Sequence, residues 1–141
     1  MNAFKMLKKD HRAVDEMFQA FENETDAMAK ADIAFHVCKD LDLHMSLEEE
    51  IFYPEAMHLL DNDMVDHAKE EHAEAKKVMA EILHMVTGPE LDKKMSDLCN
   101  MIKHHVADEE DEMFPALEKA NFDADHIGTR MEERKKELLK G

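Results

Sequence analysis

The sequence predicts an all-α fold: an up-down-up-down four-helix bundle with an internal two-fold repeat and a short C-terminal fifth helix. Three observations lead there. Only three Gly and three Pro interrupt 141 residues, and these are the strongest helix breakers. Apolar residues recur at helical spacing in four long stretches, and no useful length alternates as a strand would. The chain also repeats itself, without a gap, at a shift of 61 residues. Amphipathic helices joined by short loops bury their stripes as a bundle. The length is that of one domain, expected to span 1–141, with repeat halves at about 2–60 and 63–121 and the terminal helix at about 123–139.

The first predicted helix ends at Asn23-Glu24-Thr25-Asp26 and carries Phe4, Leu7, Val14, Phe18 and Phe21 on one stripe. The second carries Ile33, Val37, Leu41 and Ile51; Pro54 is expected to end or kink it before Asp61-Asn62-Asp63. The third carries Val65, Ala68, Ala75, Met79 and Ile82, and stops at Thr87-Gly88-Pro89, where Pro suits the first turn of the next helix. The fourth carries Leu91, Met95, Leu98 and Ile102, with Pro115 in the role of Pro54 before Asn121-Phe122-Asp123.

The repeat sorts the ten His. It carries His11 onto His72, Cys38 onto Cys99, His44 onto His105, Glu48 onto Glu109, Glu49 onto Glu110 and Pro54 onto Pro115. His44 and Glu48 are four apart and share a helix face, as do His105 and Glu109. Both pairs continue apolar stripes. His11 sits between Leu7 and Val14, and His72 between Ala68 and Ala75. Four imidazoles and two carboxylates thus point into one core. Unpaired, they would be costly to bury, so they satisfy one another or hold metal. One His on an apolar stripe is commonly a hydrogen-bonded core residue. Four on four helices, in a gapless repeat, favour metal. Imidazole with carboxylate suits iron, manganese or zinc, and the lack of clustered Cys argues against an iron–sulfur or Cys-zinc site. The expected metal ligands are His11, His44, Glu48, His72, His105 and Glu109, with the two Glu bridging two ions.

Other residues read as background. His36, His58, His67, His84, His104 and His126 are expected at the surface. His104 lies on a polar stripe with Asp97, Asn100, Asp108 and Asp111. Glu49 and Glu110 fall about 140° round the helix from the ligand His, at about 100° per residue; a solvated face is the favoured reading, and a place behind the ligand His the alternative. The thirteen Met read as adaptable core, and Cys38 and Cys99 as half-buried free thiols. Tyr53 has Phe114 as its repeat counterpart, so the repeat requires no metal role of it. Lys and Arg total 18 against 34 Asp and Glu, a net charge of −16, which argues against nucleic acid or an anionic membrane as partner. No apolar run is long enough for a membrane span, and the polar N-terminus does not read as a secretory signal.

These residues have a known pattern. Asp10-His11, His44-Met45-Ser46-Leu47-Glu48 running on to Pro54, Glu71-His72, and His105-Val106-Ala107-Asp108-Glu109 running on to Pro115 resemble the hemerythrin-like HHE cation-binding family over about residues 3–120. The resemblance implies two non-haem iron ions, bridged by an oxo or hydroxo group and two carboxylates. It places His11 and His44 on one iron, His72 and His105 on the other, with Glu48 and Glu109 between. The oxygen-carrying hemerythrins add a fifth His in a His-x-x-x-His pair on the third helix. Here the positions four from His72 are Ala68 and Lys76, and His67 is five away. The four-His pattern leaves each iron a position for a small molecule.

The expected function is that of a cytoplasmic di-iron protein binding dioxygen or a related molecule such as peroxide or nitric oxide, for sensing, storage or protection from oxidative or nitrosative stress. The alternative is a di-iron redox enzyme, with peroxidase- or catalase-like activity, nitric oxide reduction, or iron delivery for iron–sulfur repair. A metal-free structural bundle is the third reading.

Overall fold

A computed structural model of the chain describes residues 1–85 and 88–140. Among these described residues five helices follow one another. Helix α1 is Ala3–Asn23. Helix α2 comprises Ala27–Leu47, a π-helical turn Glu48–Phe52, and Tyr53–Met57. Helix α3 is Asn62–Leu83. Helix α4 comprises Pro89–Asp108, a π-helical turn Glu109–Met113, and Phe114–Lys119. Helix α5 is Ala124–Lys140. No strand occurs among the described residues, and no described helix is long and apolar enough to cross a membrane. The starts follow local chemistry. Asn2, Asp26 and Asp61 accept hydrogen bonds from the backbone N–H of Lys5, Ala29 and Asp63. Of the third predicted break, Thr87 lies outside the described residues. Gly88 takes a φ of 111° that favours glycine, and Pro89 opens α4.

Pro54 and Pro115 bend their helices without ending them. Ahead of each, the turn widens: the N–H of Tyr53 donates to Glu48 O, and that of Phe114 to Glu109 O, five residues back. The wider turn accommodates a proline ring that would strike the carbonyl four residues earlier in an α-helix. Both turns begin at the predicted bridging glutamates, so the bend and the candidate ligands coincide.

Helix α1 packs on α2, α3 packs on α4, and α2–α3 and α1–α4 contacts close the bundle. Two apolar cores result. One, toward the prolines, gathers Phe4, Leu7, Phe52, Tyr53, Phe114 and Leu117. The other gathers Val14, Phe18, Val37, Met79, Leu98 and Ile102. Six Met are buried: Met6, Met45, Met79, Met95, Met113 and Met131. Cys38 and Cys99 are free thiols, as expected, but both are fully buried. Burial pushes the Cys38 thiol up to about 11.

Helix α5 lies against α1 and α2, burying Ile127 and Met131 in the first core. It crosses the chain's start at Gly128, where a Cβ would stand 2.8 Å from Ala3 N and closer still to Met1 O. Gly128→Ala should therefore destabilise the fold by about 1–3 kcal/mol through overpacking against backbone, despite the better helix propensity of Ala. A lower melting temperature by circular dichroism is expected; a higher one would mean that α5 does not sit this closely.

Candidate metal centre

Between the two apolar cores lies a polar layer. His11, His44, Glu48, His72, His105 and Glu109 are all buried, and the two Glu are at most 1% exposed. The structure brings all six sequence-predicted residues together. Glu48 Oε1 lies 3.2 Å from His44 Nε2 and 3.1 Å from His72 Nε2. Glu109 Oε1 lies 3.3 Å from His11 Nε2, and its Oε2 3.3 Å from His105 Nε2. Two donor sets share both glutamates: His11, His44, Glu48 and Glu109; and His72, His105, Glu48 and Glu109.

Each imidazole is held from behind by a carboxylate at Nδ1. His11 pairs with Glu110 at 2.6 Å, His44 with Asp10 at 2.9 Å, His72 with Glu49 at 2.7 Å and His105 with Glu71 at 2.9 Å. Lys76 Nζ in turn holds both oxygens of Glu49 at 2.9 Å. For Glu49 and Glu110 this selects the alternative, a place behind the ligand His, over the favoured solvated face. Their offset from the ligand stripe is the flank of the helix, and in a bundle that flank meets a neighbouring helix while staying partly open to water. Asp10 and Glu71 were missed. The signal was available, since the repeat carries Asp10 onto Glu71 and Glu49 onto Glu110.

With Nδ1–H donated to a carboxylate, each His presents Nε2 inward. His72 Nε2 and His105 Nε2 stand 3.2 Å apart. His11 Nε2, His44 Nε2, both oxygens of Glu48 and Glu109 Oε1 are buried with no aligned hydrogen bond. Buried polar atoms are normally satisfied, and adjacent donors on a first-row metal stand about 3 Å apart when each bond is about 2.0–2.2 Å. The donors present fit metal ions.

Without metal, protons serve instead. Burial lowers the His44 pKa, but the Glu48 charge and the Asp10 hydrogen bond outweigh it and push it up to about 10. Burial lowers His105 too, and Glu109 chiefly reverses this, to about 12. Burial raises Glu48, yet the charge of His44 and the facing imidazoles hold its carboxyl well below the usual range.

Tyr53 also belongs to the site, a place that the repeat did not require of it. Its buried hydroxyl donates to Glu109 Oε2 and lies 3.2 Å from His72 Nε2 and 3.4 Å from His105 Nε2. Burial, then the charges of Glu48 and Glu109, raise the phenol pKa well above normal, so it keeps its proton. On the other half Phe114 stacks near His11, ring centroids 6.4 Å apart. The repeat had pointed away from Tyr53 because symmetry reports only what the halves share. On the opposite side of the layer a cavity of about 10 Å³ is walled by the imidazoles with Val14, Leu41, Met45, Ile102 and Val106. That is about the space one water needs. All six other His are exposed, as expected.

Such a layer inside a helical bundle defines a metal-binding helical domain. Residues 2–117 match the hemerythrin HHE cation-binding domain, and the chain belongs to this family. A crystal structure of a hemerythrin HHE cation-binding domain-containing protein from Mycobacterium kansasii superposes with a TM-score of 0.78 at 18% identity, covering 99% of this chain and 91% of that one. A relative from Nostoc sp. (strain PCC 7120), named a DNA nickase, is 25% identical over 118 residues, 83% of this chain. The chain spans only 34% of that relative's length.

The raised His44 value gives a signed prediction. Its pairing stabilises metal-free protein fully below the unfolded value of 6.5 and is lost as pH rises through about 10. Metal needs the neutral imidazole. The difference in melting temperature between metal-loaded and metal-free protein should therefore widen from about pH 6.5 to about pH 9. A constant or narrowing gap would contradict proton–metal exchange at these His.

Proposed function

We propose that the whole chain, residues 1–141, acts as one domain holding two non-haem iron ions. His11 and His44 hold one, His72 and His105 the other, and Glu48 and Glu109 bridge them; manganese and zinc suit the same donors. The observation that carries this reading is the set of four carboxylate-backed imidazoles aiming Nε2 atoms, those of His11 and His44 without a hydrogen-bond partner, at two buried carboxylates. Two irons, when bound, supply redox chemistry at adjacent metals with room for a small ligand. The water-sized, mostly apolar cavity supports a ligand such as dioxygen, peroxide or nitric oxide, in sensing, storage or stress protection. The charge of −16 disfavours a nucleic-acid partner. The two free thiols suit a reducing, cytoplasmic compartment.

Tyr53 favours a second reading, a di-iron redox enzyme. It places one protonated oxygen among His72, His105 and Glu109, where its O–H can donate a hydrogen bond, whereas on the other half Phe114 stands near His11. Anaerobic loading with ferrous iron, followed by dioxygen, peroxide or nitric oxide in separate runs, distinguishes the two. A stable, reversible spectrum supports a carrier or sensor. Peroxide consumed over many cycles supports the enzyme, and Tyr53→Phe should then slow turnover by about 100-fold while leaving iron content unchanged.

Site variants test the ligand assignment. His72→Ala and Glu109→Ala should each lower the iron count measured by mass spectrometry, and His104→Ala should not. Iron lost in His104→Ala but retained in His105→Ala would reverse the assignment on α4.

A further inference from the structure

We propose that His67, Glu71, His104 and Asp108 form a second, outer site for a divalent transition-metal ion of the zinc class. The four lie across the exposed α3–α4 groove as two pairs, each spaced four residues on one helix. One ligand atom from each lies within 4.8 Å of the others. His67 Nε2 is 3.6 Å from Glu71 Oε2 and 3.7 Å from Asp108 Oδ2. His104 Nε2 is 3.6 Å from Glu71 Oε2 and 3.4 Å from Asp108 Oδ2. All four separations exceed hydrogen-bond length. Three of them fall within, and the fourth just above, the edge of a tetrahedron, about 3.3–3.6 Å, whose centre lies about 2.0–2.2 Å from imidazole nitrogen and carboxylate oxygen. Two neutral imidazoles and two carboxylates also neutralise a divalent ion.

The bundle's pseudo-symmetry supplies an independent reason. At the 61-residue shift the counterparts are Met6, Asp10, Leu43 and Leu47. On that side the groove is largely apolar and α5 covers it, burying Met6 and Leu47. Asp10 uses Oδ2 for His44 and turns Oδ1 toward Lys135 Nζ, 4.0 Å away. Glu71 likewise uses Oε1 for His105, but its Oε2 meets the two His instead of a lysine. Among the described residues no helix covers this groove: the His67 side chain is 59% and that of His104 69% exposed. Where one half places an ammonium, the other assembles four metal donors open to solvent.

The test is a zinc(II) titration of iron-loaded wild type, the two single His→Ala variants and the His67→Ala/His104→Ala double variant, by calorimetry and metal counting. Wild type should bind one zinc(II) per chain that the double variant does not. Each single variant should weaken it by at least about tenfold, with the same iron count in all four proteins. His67→Gln and His104→Gln replace the alanine variants should those disturb the melting curve. Equal zinc uptake by wild type and double variant, or none by wild type, overturns the proposal. The readout is a difference in zinc count. It would persist even if the buried layer held no iron, so failure of the outer site and failure of the buried centre are distinguishable.

Discussion

Two carboxylates at the middle of an apolar bundle set the terms for everything around them. Glu48 and Glu109 are shut off from water, and a buried, unpaired charge is more than a small domain can sustain. Compensation comes in concentric layers. Four imidazoles face the two carboxylates, four further carboxylates hold the imidazoles from behind, and Lys76 and Lys135 lie beyond Glu49 and Asp10. Each layer alternates in the charge it favours, and exposure rises outward: the imidazoles are buried and the carboxylates behind them are partly open to solvent. The apolar cores on either side exclude water and so strengthen every interaction within the layer.

Much of this was legible because the chain is duplicated. A gapless repeat that preserves His and Glu separated four buried His from six exposed ones before any geometry was known. It also chose His105 over its neighbour His104. The helical period placed the stripes correctly as far as Glu48 and Glu109. It also placed Ile51, inside the first π turn, on the buried side, and it ran out at the flanks, because a helix flank in a bundle packs beside a neighbouring helix. That is why a solvated face was favoured for Glu49 and Glu110 over their place behind His72 and His11. Asp10 and Glu71 precede their His in sequence yet serve His on a different helix, His44 and His105, a pairing that only the packing reveals.

What the duplication hides is as informative as what it shows. Tyr53 faces His72 and His105 while Phe114 faces His11, so two halves of shared ancestry in pattern offer unequal chemistry. Helix α5 adds to the difference by covering one groove and leaving the opposite one open to polar residues. Symmetry therefore builds the donor layer, and departures from it differentiate the two ends of that layer. A single buried hydroxyl suffices for this, since in a site so dry one proton donor changes the balance of charge on the glutamate it touches.

The central claim is that two metal ions, not protons alone, compensate Glu48 and Glu109. Crystals of the iron-loaded protein, measured at the iron absorption edge, test it directly. The account predicts two anomalous peaks in the polar layer, one beside the Nε2 atoms of His11 and His44 and one beside those of His72 and His105, with both glutamates between them. A single peak, or none within the layer, would contradict it.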